Sequence, residues 1–131
     1  MARTKRKIPT SLAIVEKGFR GALEEQYGNI VWLSECMKAM GAHHSLLLCG
    51  GAVSTCFNEQ QQQSVVIGDI KIDTLSDFKQ SVLSLLERKG KVWVLAEDLN
   101  LFNDDYELIE GVEVADSMAA LCMQHDKVWF W

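Results

Sequence analysis

Apolar positions along this chain follow two regimes. In some places they form short unbroken runs; in others they recur every three or four residues. "SLAIV", Ser11 to Val15, is the first run, and the charged turn "EKGFRG" that stops it marks the end of a predicted strand. From Ala22 to Met40 the spacing turns helical, with Ile30, Leu33, Met37 and Met40 on one flank, Cys36 beside them, and Gly41 placed for a left-handed cap. "HSLLLCGGAV" reads as a strand covered on both faces, the pattern of a parallel sheet. Gln60 to Gln63 make a polar loop, and "SVVIGDIKI" is either a short irregular strand or part of the loop's path. A second helix follows, capped by Thr74 with Asp77, striped by Leu75, Phe78, Val82, Leu85 and Leu86, and closed by Gly90. "KVWVLAEDL" and the shorter "GVEVAD" are further strands, and Ser117 to His125 is a small helix with Met118, Leu121 and Cys122 inward. "DKVWFW" is the last strand.

Strands alternating with helices predict one three-layer α/β/α domain, residues 10–131, around a mostly parallel sheet of about five strands with right-handed crossovers. A chain of 131 residues is long enough to bury a sizeable core. Residues 1–9 are expected to be a basic, disordered arm, because Arg3, Lys5, Arg6 and Lys7 crowd its length. Without those four the remainder has nine basic residues against 18 acidic ones, a formal charge of −9. So acidic a body argues against nucleic-acid binding. No stretch has the length of a membrane span, and Glu16 and Lys17 cut the first apolar run too early for a signal peptide, so a cytoplasmic location is expected.

In such sheets chemistry sits beyond the carboxyl ends of the strands. The loops after the first strand, after "LLLC" and after "KVWVL" are therefore expected to meet on one rim. Gly18 and Gly21 match neither a dinucleotide fingerprint nor a P-loop, and Glu24 and Glu25 oppose an anion there, so turn glycines are the simpler reading. Glu97 and Asp98 read as polar capping of a helix start before they read as acid or base. His43 and His44 would point to opposite faces of a strand and the cysteines lack paired spacing, so neither a metal nor another cofactor is expected. Cys36, Cys49 and Cys122 read as small buried hydrophobes. Cys56 lies past the glycine pair in a predicted loop, where a thiolate could be exposed, although no lysine or arginine stands near it in sequence to favour that form.

"HSLLLCGGAVSTC", "KVWVLAEDLNLFN" and "LIEGVEVADSMAALCMQHDKVWFW" together resemble the DsrE/DsrF/DsrH superfamily, the sulfur-relay proteins that include the TusBCD complex. The second half is most similar to DsrH/TusB-like subunits. The resemblance implies a DsrE-like fold and a place in an intracellular sulfur-transfer system. The chain would act there either as a persulfide carrier or as a non-catalytic subunit of a trimeric or hexameric homo- or hetero-oligomer. Its partners would be sulfur-donor and sulfur-acceptor proteins, with no nucleic acid and no membrane. Two departures stand out. DsrE/TusD-like subunits carry their sulfur-bearing cysteine at the end of the strand matched here by Val92 to Leu95, where this chain has Ala96 and Glu97; the family's Asp-Gly is Gly51-Ala52. Only Cys56 approximates the cysteine that DsrH-like subunits place on an earlier loop, which makes it the candidate sulfur carrier. A small-ligand or nucleotide-binding module using Gly18 to Gly21 is the alternative.

Overall fold

The computed structural model describes residues 8–16, 28–59, 65–72, 78–102 and 106–130. Five parallel strands form its central sheet: β1 (Thr10–Val15), β2 (His43–Leu48), β5 (Lys91–Leu95), β6 (Glu113–Ala115) and β7 (Lys127–Phe130), in the spatial order β6-β5-β2-β1-β7. Four helices accompany them: α1 (Gly28–Ala39), α2 (Phe78–Glu87), α3 (Ala96–Leu99) and α4 (Met118–Met123). The predicted mostly parallel five-stranded α/β sheet is thus what forms.

Topology decides the layers. From β1 through β2 and β5 to β6 the chain steps one way across the sheet, and from β6 it returns past three strands to pair β7 with β1. Right-handed crossovers then place α1 and α2 over one face and α4 over the other. Side-chain alternation agrees, since neighbouring strand residues point to opposite faces. Ala13, Val15, Leu46, Leu48, Val92 and Val94 pack with Val31 of α1 and with Val82 and Leu85 of α2. Leu12, Ile14, Leu47, Trp93 and Leu95 pack on the other side with Leu121 of α4. β1, β2 and β5 are apolar on both faces because both faces are covered.

Three local expectations are revised. The run read as one strand through Val53 leaves the sheet after Leu48, and Gly50–Cys56 wind into a 3-10 helix. "SVVIGDIKI" forms a separate antiparallel hairpin, β3 (Val65–Ile67) with β4 (Ile70–Ile72), turning at Gly68 with φ +61°. In α1 the inward positions are Val31 and Ser34, while Leu33 and Met40 are exposed. That helix is apolar around much of its circumference, so spacing alone does not select a face. Ser34 is buried because its hydroxyl meets His44 Nε2 at 3.0 Å, and Ser11 Oγ meets Nδ1 of the same ring at 2.7 Å. The basic arm up to residue 7, the Thr74–Asp77 cap and Gln60 to Gln63 lie outside the described residues.

Leu85 and Leu121 anchor the two cores without sharing a partner. Leu85→Ala is expected to cost about 2–5 kcal/mol, Leu121→Ala toward the lower end of that range, and the pair to add within about 0.5 kcal/mol. Urea denaturation of the two single variants and the double variant checks this; strong coupling would mean that the sheet does not separate the cores.

Candidate functional site

The predicted convergence at the carboxyl ends of the strands is present for the parts described. Glu16 ends β1, Cys49 and Gly50 leave β2, and α3 begins directly after β5. Gly50 ties them together. Its φ is +54°, which favours glycine, and a Cβ on it would come to 2.8 Å from the Glu16 carbonyl oxygen. Its amide N–H donates to Asp98 Oδ2 at 2.7 Å. This hydrogen bond is charge-assisted and joins segments 48 residues apart. The expected capping of α3 is not what Asp98 is seen to do: no side chain caps that helix start, and the Asp98 carboxylate instead binds the third strand end to the second. A contact so distant in sequence leaves no local signal.

Cys56 is where sequence and structure diverge most. It was expected in an open loop with an accessible sulfur; it ends the 3-10 helix with no exposed surface. The helix is held internally by the Ala52 amide to the Cys49 carbonyl at 3.1 Å, by Thr55 Oγ1 to the Ala52 carbonyl at 2.7 Å and by Ser54 Oγ to the Gly51 carbonyl at 2.9 Å. Residues 106–109 lie against its end. The Ile109 amide donates to the Cys56 carbonyl at 2.8 Å and the Asn58 amide to the Glu107 carbonyl at 2.8 Å. Phe57 stacks on Tyr106, ring centroids 4.9 Å apart, and meets Phe102 edge-on at 5.2 Å. The sulfur sits in the same core as Val53, Val82 and Ile109.

Burial pushes the Cys56 thiol up from its ordinary 9.0 to about 12, against the opposing pull of a hydrogen bond with Thr55. Cys49, also buried, is pushed up to about 11 by burial first and then by the negative charges of Asp98 and Glu16. Its Sγ lies 3.6 Å from the Val15 carbonyl, to which it donates. Cys36 and Cys122, read as buried, are half-buried. Among the described residues no group of three histidine, cysteine or acidic side chains is placed to hold a metal ion. Gly18 and Gly21 lie outside the described residues. The described part of the rim thus presents carboxylates and backbone over two neutral thiols.

Two outcomes follow. Gly50→Ala is expected to destabilise the fold by more than about 1 kcal/mol in urea denaturation, since it adds both a disfavoured φ and a contact with backbone. The buried thiols keep their protons until about pH 11 and 12, whereas unfolded thiols lose theirs near 9, so unfolding releases protons in that window. The stability they contribute is complete below pH 9 and is lost as pH rises, by about 1.4 kcal/mol per pH unit for each thiol. Denaturation at about pH 8 and about pH 10.5 should show this fall, shallower in Cys56→Ala; equal slopes would place the Cys56 sulfur in water.

No protein-family model and no curated protein matches the sequence. Among solved structures, the ychN protein from E. coli, known from its crystal structure, matches with a TM-score of 0.73 over 94% of this chain and 99% of that chain, at 16% sequence identity. At that identity the likeness is one of fold, and the fold is DsrE-like.

Proposed function

We propose that this chain is a subunit of an intracellular sulfur-transfer assembly of DsrE-like domains, and that it holds a cysteine-bearing partner without carrying sulfur itself. The observation behind this reading is the state of the rim. A persulfide relay needs an accessible thiolate to attack the donor's terminal sulfur and later be relieved of it. Here Cys49 and Cys56 are buried and protonated, and the carboxylates of Asp98 and Glu16 oppose ionisation of Cys49. At the position where a carrier cysteine stands in the family resembled, Ala96 begins α3.

The sheet's edge supports a partner-holding role. β7 pairs on one side with β1 and has no neighbouring strand on the other among the described residues, and Val128, Trp129 and Phe130 are all exposed along it. An edge strand carrying bare apolar side chains is a surface that monomers normally avoid. Because all five strands run in parallel, Phe130 lies at the rim end of the sheet.

Co-expression with a DsrE-like protein bearing a cysteine at the strand end equivalent to Leu95 is expected to give a complex on size exclusion. Phe130→Asp should weaken it at least about tenfold, or about 1.4 kcal/mol. Mass spectrometry after treatment with a persulfide donor should find added sulfur on the partner and none on Cys56. A sulfur adduct on Cys56, absent in Cys56→Ser, would instead make this chain a carrier and show that the 3-10 helix opens. Stabilisation by nucleotides with no complex formed would favour a ligand-binding module.

A further inference from the structure

At the opposite end of the sheet, where the strands begin, the character of the surface reverses. An open cleft of about 320 Å³ lies at the start of β2 and β5 and the close of α1 and α2, lined by Lys38, His43, Lys89, Lys91, Trp93 and His125 among others. His44 also lines it, so all three histidines of the chain are gathered here. Among the described residues no aspartate or glutamate side chain is part of the lining, in a chain whose formal charge is −5. Acidic groups border the lining: Asp126 Oδ2 accepts from the amide and hydroxyl of the lining residue Thr10 at 2.9 and 3.3 Å, and Glu87, Glu110 and Glu113 line a neighbouring cleft that shares Lys91. None of the three lysines has a carboxylate partner among the described residues.

The lining side chains are held in position. His125 Nδ1 donates to the Leu121 carbonyl at 2.7 Å, and its ring meets Trp93 edge-on with centroids 5.9 Å apart, which leaves Nε2 for a ligand. Lys91 Nζ lies 5.8 Å from the centroid of Trp93. His44 is buried with both ring nitrogens on serine hydroxyls. Burial first, and then the charges of His125 and Lys38, hold its pKa below the ordinary value, so the positive field of the cleft reaches this ring.

Lys89 carries the argument furthest. α1 and α2 end in the same Schellman turn: Gly41 N to the Lys38 carbonyl with Ala42 N to the Met37 carbonyl, and Lys89 N to the Leu86 carbonyl with Gly90 N to the Leu85 carbonyl. In α1 the left-handed position is glycine, Gly41, with φ +92°; in α2 it is lysine, with φ +62°. Among the described residues Lys89 is the one non-glycine with positive φ, although glycine stands next to it in the chain. Neutralising helix carbonyl ends accounts for Lys38. It does not account for Lys91, which begins a strand, nor for a strained lysine where glycine would serve.

We propose that this cleft binds a small phosphate-bearing molecule, its dianionic phosphate held by Lys38, Lys89 and Lys91 and its body lying beside Trp93 and His125. Three ammonium groups without a carboxylate partner among the described residues match a dianion better than a single carboxylate, and the volume is that of a small organic ligand, larger than phosphate alone. The site is separate from the carboxyl rim and independent of any sulfur chemistry there.

Isothermal titration of the full chain with phenyl phosphate, inorganic phosphate and benzoate tests this, with amide NMR shifts to locate the ligand. Phenyl phosphate is expected to bind saturably at least tenfold more tightly than benzoate, and to shift Lys89, Lys91 and Trp93. Lys91→Gln and Lys89→Gly should each weaken binding tenfold or more, while Lys89→Gly raises the thermal midpoint by relieving the left-handed lysine. Lys71→Gln on the β3–β4 hairpin, equal in charge change, should leave affinity within twofold. Inorganic phosphate binding as tightly as the ester would remove the organic body from the assignment. No saturable binding, or equal losses in Lys71→Gln and Lys91→Gln, would overturn the site.

Discussion

One backbone approach too close for a methyl group organises the carboxyl end of this domain. Where β2 leaves the sheet, Gly50 comes so near the Glu16 carbonyl that only a hydrogen fits between them, and its amide is aimed at Asp98. Three strand ends are fastened at that point. Because Gly50 turns the chain sharply, the seven residues Gly50–Cys56 wind into a 3-10 helix instead of continuing outward as a loop. Runs of this kind beyond three or four residues are uncommon, and this one persists through its hydroxyl-to-carbonyl bonds and the segment clasped against its end.

The chemistry of the rim follows from that turn. A cysteine six residues past a glycine would be solvent-facing on an extended loop; on a helix rolled back against the sheet it becomes a core residue. Among the described residues the same close packing brings the carboxylates of Glu16 and Asp98 to the mouth. Lysines and histidines gather at the other end of the strands, where helix carbonyls point and positive charge is favoured.

Much of the architecture was legible because each central strand is short, apolar and buried on both faces, and because "TLSDF" and "ADSM" announce the helices that follow. β5 begins where "KVWVLAEDL" does but ends at Leu95, the last four residues of that run forming α3, and Leu121 is inward as its spacing required. α1 was misfaced because Leu33 and Met40 are as apolar as Val31, and because Ser34 is buried for a hydrogen bond to His44 that spacing cannot reveal. Cys56 was misplaced for a related reason. Nothing local distinguishes a glycine that ends a strand in a loop from one that folds the chain back, and the deciding partners, Glu16 and Asp98, lie far away in sequence. The basic cleft escaped notice because Lys38, Lys89 and Lys91 come from three separate elements, and the acidic total of the chain conceals them.

β1 sits between β2 and β7, and β7 is the last strand in chain order. During synthesis an inner strand therefore waits with one flank of amides and carbonyls unpaired until residues 127–130 have left the ribosome. The Thr10–Asp126 contacts that seal the junction span 116 positions. Closure of the sheet is consequently a late event in the life of the nascent polypeptide, and the half-made domain exposes a ready template for β-pairing with other chains.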